Sequence, residues 1–210
     1  GASSDVITIE GVKSLHQVEH KVIPDRIVTG TYLAAAAITG GEVLLTNVNP
    51  NHIQAINSKL KEAGCRIIEE KDRIYLKAPK KLKNIDIIRT QPYPGFPTDM
   101  QAQMMAMLTV ASGASIITET VFESRYKHVD ELIRMGANIT LEGRTAIIKG
   151  VGHLTGTNVY AKDLRGGAAL IIAGLVAEGV TIVDGAKHIE RGYEQIDKDL
   201  NILGASIRKD

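Results

Sequence analysis

The sequence has few of the residues on which several common kinds of binding surface depend. Only 4% of its 210 residues are aromatic and none is Trp. This argues against a surface that stacks sugars or unpaired bases, because such surfaces need exposed aromatic faces. The single cysteine, Cys65, excludes an internal disulfide framework and a multi-cysteine zinc site, and it predicts a reducing compartment. No His neighbours Cys65 in the sequence, so we interpret it as a small buried residue.

Net charge and long apolar runs are equally scarce. The 25 Lys and Arg residues balance 24 Asp and Glu residues, so the charge favours neither nucleic acid nor an anionic membrane as a partner. No apolar run reaches the roughly 18 residues that a membrane span requires. Residues 1–4 lack the basic and apolar regions of a secretory leader. We therefore expect a cytoplasmic protein.

Nucleotide and metal motifs are missing as well. Neither GxGxxG nor GxxxxGK[ST] occurs, and the six His residues show no HExxH or paired ligand spacing. The sequence predicts no metal site and no cofactor.

What the sequence does contain is a threefold internal repeat. In each copy an Asp precedes a small, apolar helix, a Gly ends that helix, and a strand follows. A second, more polar helix comes next, is closed by another Gly, and leads into a last strand. The three Asp residues are Asp25, Asp99 and Asp163, and the polar helices are predicted at NHIQAINSKLKEA, SRYKHVDELIRM and RGYEQIDKDLNIL.

The contrast between the two helix types predicts the architecture. Segments such as AAAAI and GGAALIIAGLVA are apolar all round and must be buried, whereas the polar helices carry only an apolar stripe. We therefore predict an α/β fold, an inside-out α/β barrel of three βαβαβ-type units around a pseudo-threefold axis, with apolar helices inside and sheets outside. Further strands are predicted at DVITIEG, RIYLKA, IDIIRT, TAIIKG and NVYAKD, and last strands of the repeats at CRIIEE, ANITLE and ASIRK.

The repeats also predict a division of the chain. Residues 1–23 are expected to be an interdomain strand or linker, and residues 24–210 a single domain. Its repeats fall at about 24–78, 85–150 and 156–210. The third repeat has no strand after ASIRK, so it is one strand short.

Acidic and guanidinium side chains stand at corresponding places in the repeats. Arg125 and Arg191 are predicted at the heads of polar helices, where a cation opposes the helix dipole unless an anion binds nearby. Arg165 follows Asp163 by two residues. A threefold arrangement would gather these groups with Asp99 at one end of the domain, where they could bind a phosphorylated anion and remove a hydroxyl proton. Helix capping by the Asp residues and surface salt bridges of the Arg residues remain as alternatives.

Five segments carry a resemblance to a known family. They are PDRIVTGTYLAAAAI, FPTDMQAQ, ITETVFESRYKHVDELIRMGA, KDLRGGAALIIAGLVAEG and HIERGYEQID. Together they resemble the UDP-N-acetylglucosamine 1-carboxyvinyltransferases, enolpyruvyl transferases of early peptidoglycan synthesis with an EPSP synthase-like fold. The resemblance covers essentially the whole chain, but family members are about twice as long and contain two such domains, so the chain resembles their C-terminal half.

The resemblance implies an activity and a role for particular residues. The family transfers the enolpyruvyl group of phosphoenolpyruvate to the 3-hydroxyl of UDP-N-acetylglucosamine by addition and then elimination of phosphate. Asp99, preceded by Thr98, matches the proton acceptor that contacts the sugar hydroxyl. The other matching residues are Val121, Phe122 and Arg125 at the nucleotide sugar, Asp163 and Arg165 at the enolpyruvyl carbon and carboxylate, and Arg191 as an anion clamp on phosphoenolpyruvate.

Several parts of the family's site do not occur in this chain. In the family, a mobile loop of the N-terminal domain carries a Cys acid, which is the target of fosfomycin, and an essential Arg; a Lys-Asn pair near the family's N-terminus also contacts substrate. The first family strand packs into the C-terminal domain and is absent here too. We therefore expect the missing N-terminal domain as a partner and expect the isolated chain not to turn over.

Two other functions remain open. A 3-phosphoshikimate 1-carboxyvinyltransferase has the same fold, although FPTDMQAQ and TETVFESR favour the nucleotide-sugar enzyme. The repeats could also form a noncatalytic ligand-binding or scaffold module.

Overall fold

The computed structural model describes residues 6–209. Its first repeat forms a three-stranded antiparallel sheet in the order β1-β3-β2, and a 3₁₀ turn at Pro50–Ile53 precedes the second helix. The elements of this repeat are α1 (Arg26–Ile38), β1 (Glu42–Thr46), α2 (Gln54–Glu62), β2 (Arg66–Glu69) and β3 (Arg73–Lys77).

The second repeat forms a four-stranded sheet in the order β4-β5-β7-β6, in which β4 runs parallel to β5. A 3₁₀ turn at Thr98–Met100 leads into its inner helix. The elements are β4 (Ile87–Arg89), α3 (Gln101–Leu108), β5 (Ala114–Thr118), α4 (Val129–Arg134), β6 (Asn138–Glu142) and β7 (Thr145–Lys149).

The third repeat contains two parallel strand pairs, β8 with β10 and β9 with β11. Its elements are β8 (Leu154–Thr155), β9 (Asn158–Tyr160), α5 (Leu164–Gly174), β10 (Ala177–Glu178), β11 (Ile182–Asp184), α6 (Ala186–Ile189) and α7 (Ile196–Ile202).

Helices α1, α3 and α5 pack against one another in the interior, and the sheets lie around them. Every residue of α3 is buried, and its methionines fill the space between the helices. At Gly167 of α5 the packing leaves no room for a side chain, because a Cβ there would lie 2.5 Å from Cγ1 of Ile189. The predicted arrangement, with apolar helices inside and sheets outside, is confirmed.

Two of the three repeat aspartates cap their helices. The Asp25 carboxylate accepts hydrogen bonds from the N–H groups of Ile27 (2.7 Å) and Val28 (3.2 Å), and Asp163 accepts one from Gly166 (2.7 Å). Asp99 instead lies inside the 3₁₀ turn before α3 and caps no helix through its side chain. The capping interpretation is therefore wrong for Asp99 and leaves its carboxylate available for other contacts.

The prediction that Arg125 and Arg191 stand at the heads of polar helices is wrong. Helix α4 begins at Val129 and α7 at Ile196, four and five residues later. Tertiary contacts hold the preceding segments in other conformations. The Tyr126 hydroxyl donates to the backbone oxygens of Ile117 on β5 and of Arg144 in the turn before β7, and Tyr193 is buried among the inner helices. Neither arginine therefore opposes the dipole of its polar helix.

Two predicted strands do not form within the described residues. Residues 6–11 of DVITIEG are exposed and carry no strand, and Asp5 lies outside the described range. Alternating apolar residues make a strand only when a neighbouring strand supplies hydrogen bonds. Residues 205–209 are also irregular, because the Ile207 N–H and C=O bond to the side chain of Asn201 at 2.9 and 2.7 Å.

The helices within residues 6–209 are all too short or too polar to cross a membrane.

Candidate functional site

Asp99 is held between two arginines from different parts of the chain. Its Oδ1 accepts a hydrogen bond from Arg125, and its Oδ2 accepts from Nε and Nη2 of Arg165 at 3.2 and 3.1 Å. Arg125 lies between β5 and α4 of the second repeat, whereas Arg165 is on the first turn of α5 in the third. The carboxylate thus joins two repeats, and 37% of its side chain remains exposed to solvent.

A buried polar network binds Arg165 through the guanidinium nitrogen that does not contact Asp99. Its Nη1 donates to the Tyr193 hydroxyl at 3.3 Å, and its guanidinium lies over the Tyr193 ring at 5.6 Å. The same hydroxyl lies 2.8 Å from Oγ1 of Thr31 on α1 and accepts from Nε2 of Gln103 on α3 at 3.3 Å. Burial alone would lower the pKa of Arg165, but the interactions with Tyr193 and Asp99 outweigh it and raise the pKa above its usual value. The network therefore fixes both the position and the charge of this guanidinium.

Glu119 organises the other side of the site. Its buried carboxylate accepts hydrogen bonds from the hydroxyls of Thr90 and Thr98, both at 2.8 Å, and from the N–H groups of Val121 (2.8 Å) and Phe122 (3.1 Å). Burial favours the neutral acid, but these hydrogen bonds outweigh it and hold the pKa of Glu119 below its usual range. One ionised side chain thus orients both the residue before Asp99 and the loop at 121–122.

Val121 and Phe122 present an apolar surface beside the cluster formed by Asp99, Arg125 and Arg165. Their exposures are 38% and 50%, and the guanidinium carbon of Arg125 lies 5.1 Å from the centre of the Phe122 ring. A partly exposed aromatic edge next to a cation suits a ligand with both apolar and anionic parts.

Asp163 lies at the start of the helix that carries Arg165, where its carboxylate caps the first turn. It also acts electrostatically on the buried side chain of His128. Burial lowers the pKa of His128 to about 4, and the charge of Arg125 lowers it too, against the raising effect of Asp163. His128 is therefore neutral at physiological pH.

Arg191 lies in an exposed turn, and its guanidinium makes no hydrogen bond or ion pair with any residue of the range 6–209. Its neighbour Gly192 packs closely against the base of α5, since a Cβ there would lie 2.9 Å from Cδ2 of Leu164 and 3.4 Å from Nη1 of Arg165. The structure therefore brings Arg125 and Arg165 into direct contact with Asp99. Arg191 touches none of the three, but it directly precedes Gly192, which packs beside Arg165.

Cys65 is buried, and its burial raises the pKa of the thiol to about 11. A thiol of that pKa is almost entirely protonated at neutral pH and is a poor nucleophile. Within the part of the chain that the structure describes, no three His, Cys, Asp or Glu side chains are grouped so that they could hold a metal ion.

Glu119 and Tyr193 were not predicted as site residues from the sequence, although both lie inside the segments that carry the resemblance. The signal at Glu119 is an acidic residue between two threonines, directly after strand β5. Tyr193 gives no such signal, because its partners on α1 and α3 are far away in the sequence.

The chemistry of the cluster follows from these contacts. Two guanidinium groups beside an open surface favour a phosphate or carboxylate ligand. The carboxylate between them can accept a proton from a hydroxyl that approaches from solvent. Both capacities are present at one place.

Comparison with known proteins gives matches along nearly the whole chain. A profile of the EPSP synthase (3-phosphoshikimate 1-carboxyvinyltransferase) family matches residues 1–200. UDP-N-acetylglucosamine 1-carboxyvinyltransferase 1 of Caldanaerobacter subterraneus subsp. tengcongensis is 58% identical over 207 residues, which are 99% of this chain and 50% of that protein. The UDP-N-acetylglucosamine 1-carboxyvinyltransferase of Myxococcus xanthus is 52% identical over 210 residues, all of this chain and 50% of that protein. The chain thus spans about half the length of these curated relatives.

Solved structures share the fold. The enolpyruvyl transferase NikO from Streptomyces tendae superposes with a TM-score of 0.78 at 27% identity, over 89% of this chain and 44% of that one. EPSP synthase from Acinetobacter baumannii superposes with a TM-score of 0.73 at 21% identity, over 88% of this chain and 46% of that one. The second similarity speaks for the fold alone.

Proposed function

Because the chain belongs to the EPSP synthase family, we propose that it is the C-terminal half of a cytoplasmic transferase of peptidoglycan synthesis. This enzyme moves the enolpyruvyl group of phosphoenolpyruvate to the 3-hydroxyl of UDP-N-acetylglucosamine. The observation that carries the proposal is the Asp99 carboxylate, held by Arg125 and Arg165 at an open surface. The names of the most similar relatives support the nucleotide sugar as acceptor. Residues 24–210 form the C-terminal domain, and residues 1–23 connect it to the missing N-terminal domain.

In the addition step, the 3-hydroxyl oxygen of the sugar attacks C2 of phosphoenolpyruvate while Asp99 accepts the hydroxyl proton. The C3 methylene takes up a proton from an acid that the N-terminal domain supplies. The product is a tetrahedral adduct that carries the sugar oxygen, the phosphate, the carboxylate and a methyl group on C2. Arg125 and Arg165 orient Asp99 for this step, because each binds one of its oxygens.

In the elimination step, the C3 methyl group returns a proton to the conjugate base of the acid in the N-terminal domain, the bond from C2 to the phosphate oxygen breaks, and the leaving phosphate takes up the proton that Asp99 had accepted. The double bond forms again between C2 and C3, and inorganic phosphate departs. The leaving phosphate and the carboxylate both carry negative charge, which the guanidinium groups of Arg165 and Arg191 stabilise. Asp163 lies beside the reacting carbon, and Val121 and Phe122 contact the nucleotide sugar.

The test uses the complete enzyme and the variant Asp99→Asn. Asparagine keeps the size of the side chain but cannot accept the proton, so kcat should fall at least about 100-fold while the enzyme stays folded. Phosphate release from phosphoenolpyruvate in the presence of UDP-N-acetylglucosamine is the measurement. Asp130→Asn, an exposed change on α4, is the matched control and should leave kcat unaltered.

The same assay separates the alternatives. If shikimate 3-phosphate supports phosphate release and UDP-N-acetylglucosamine does not, the acceptor assignment is wrong. If neither acceptor supports turnover by the complete protein, the chain belongs to a noncatalytic binding module. Full activity of the Asp99→Asn enzyme would show that Asp99 does not accept the hydroxyl proton. It would not contradict the assignment of the two substrates.

A further inference from the structure

One partly buried arginine has no counter-charge. Three arginines within residues 6–209 are partly buried, Arg26, Arg125 and Arg165, and the others in that range are exposed. Arg125 and Arg165 both bind the Asp99 carboxylate. The guanidinium of Arg26 makes no hydrogen bond or ion pair with any residue of the same range. Its N–H donors are thus partly withdrawn from water and gain no acceptor in exchange, which is unfavourable.

The surroundings of Arg26 fix its position without neutralising its charge. It is the first residue of α1, where a cation opposes the helix dipole, and the first turn contains no acidic residue. The carboxylate of the preceding Asp25 caps the helix through the N–H groups of Ile27 and Val28. The guanidinium carbon lies 5.1 Å from the centre of the Tyr93 ring, and this stacking holds the side chain in place. An anion beside Arg26 would therefore remove an unfavourable arrangement.

A cavity of about 180 Å³ lies beside this guanidinium. It is formed by the start of α1, by the 3₁₀ turn before α2, and by the segment that leads to Asp99. Among the described residues, no Asp or Glu lines it, and Asp99 and its two arginines lie outside it. The polar side chains that line it are those of Arg26, Asn51, His52, Gln54 and Tyr93. The cavity thus contains a cation and no carboxylate.

His52, which lines the same cavity, has a second donor without an acceptor. The amide oxygen of Asn49 accepts a hydrogen bond from the N–H of Asn51 at 3.1 Å, which fixes the orientation of that amide. The amide nitrogen of Asn49, which can only donate, lies 3.0 Å from Nε2 of His52. Nε2 is therefore the acceptor of a neutral ring, and Nδ1 carries the hydrogen. Within residues 6–209, nothing accepts a hydrogen bond from Nδ1.

We propose that the cavity beside Arg26 binds a phosphate group. Arg26 belongs to α1 and His52 to the 3₁₀ turn before α2, so the two donors come from different elements. The tetrahedral oxygens of phosphate can accept from both donors, whereas the two oxygens of a carboxylate lie in one plane and match a single guanidinium. The segment 93–97 lines the cavity and leads directly into Asp99, so phosphate bound here also restrains the chain that carries Asp99. This inference does not depend on the proposed function.

NMR spectra of the ¹⁵N-labelled chain, recorded during a titration with inorganic phosphate, test the proposal. The amides of Gln54, Ala55 and Gly95 line the cavity and should shift in a saturable manner. In Arg26→Gln the dissociation constant obtained from these amides should rise at least about tenfold, because the charged donor is lost. Arg89→Gln, at an exposed arginine on β4, is the matched control and should leave the constant unchanged. A titration with chloride at equal ionic strength separates binding from screening.

A second variant removes the other donor. His52→Phe keeps an aromatic ring but has no N–H, so phosphate binding at the same amides should weaken about three- to tenfold. Acetate should shift these amides less than phosphate does at equal concentration. The remaining amides of each variant report whether the fold is intact.

Three results would overturn the proposal. The first is a set of phosphate-induced shifts confined to residues around Asp99, with none at the cavity amides. The second is an equal dissociation constant in the parent chain and in Arg26→Gln. The third is tighter binding of acetate than of phosphate, which would assign the cavity to a carboxylate.

Discussion

At the scale of single residues, Glu119 accepts more hydrogen bonds in the site than any other side chain described above, and its charge is what holds them. In Glu119→Gln one oxygen becomes a donor, so at least one of the four donors loses its acceptor in a buried place. We expect the free energy of unfolding to fall by about 2 kcal/mol. Urea denaturation measures it, and Glu123→Gln, on an exposed residue of the same loop, should change it by less than about 0.5 kcal/mol. An unchanged midpoint in Glu119→Gln would contradict the assignment.

His128 predicts a dependence of stability on acid. Its pKa is about 4 in the folded chain because the ring is buried, and about 6.5 in the unfolded chain. Between these pH values the unfolded state binds the proton and the folded state does not. The contribution of His128 to the free energy of unfolding is therefore fully present above about pH 6.5 and is lost as the pH drops towards 4. The full effect is about 3 kcal/mol. The lowered pKa of Glu119 acts in the same direction at still lower pH.

The check is thermal unfolding of His128→Leu between pH 4 and pH 8. The variant should lose much of the decline in Tm between pH 6.5 and 4, whatever its Tm at pH 8. His153→Leu, a change at an exposed histidine, should keep the decline of the parent chain. If the two variants show the same pH profile, His128 is not the titrating group.

At the scale of elements, the sequence predicted best those helices whose start and burial are set by their own residues. Helix α1 begins directly after Asp25 because that side chain caps it, and most of its residues are buried because it lies in the interior. Helices α4 and α7 are shorter than predicted because Tyr126 and Tyr193 bond to distant parts of the chain. Residues 6–11 have the alternation of a strand, but the described structure forms no strand there. Local signals therefore predicted elements well except where a long-range contact, present or missing, decided the conformation.

The close packing of the inner helix α5 predicts that a Gly to Ala change will not stabilise the chain as it would in an exposed helix. Replacing Gly by Ala inside a helix stabilises it by roughly 1 kcal/mol when there is room. At Gly167 a Cβ would lie 2.5 Å from Cγ1 of Ile189 and 2.9 Å from Cβ of Ala161, so Gly167→Ala should instead destabilise the chain by about 1–3 kcal/mol. At Gly174 the nearest atom, Cβ of Thr181, is 3.3 Å away, and Gly174→Ala should be close to neutral. Urea denaturation of both variants tests the close packing of α5, and equal stabilities would contradict it.

At the scale of the whole molecule, the repeats explain why the site could be predicted in part. Equivalent positions in a pseudo-threefold barrel meet at one end, and this brought Asp99 and Arg165 together from different repeats, as expected. The repeats do not say which carboxylate pairs with which guanidinium. That choice depends on the loss of capping at Asp99, and on Tyr193, Thr31 and Gln103, whose hydrogen bonds join all three repeats. The roles given to Asp163, Arg191 and the substrate-binding residues stay predictions.

The open setting of Asp99 predicts how the isolated chain will behave. Its side chain is 37% exposed and Arg191 lies at the surface, so water screens the charges that must stabilise the adduct. Such charges act strongly only where water is excluded, and the proposed acid belongs to the missing domain. The isolated chain should therefore release phosphate from phosphoenolpyruvate and UDP-N-acetylglucosamine at least about 1,000-fold more slowly than the complete enzyme, by a coupled phosphate assay. Adding the separately produced N-terminal domain should raise the rate, and the same addition to the Asp99→Asn chain should not. Turnover by the isolated chain at the rate of the complete enzyme would mean that its own residues supply the acid and enclose the substrates, contrary to the proposed division of the site.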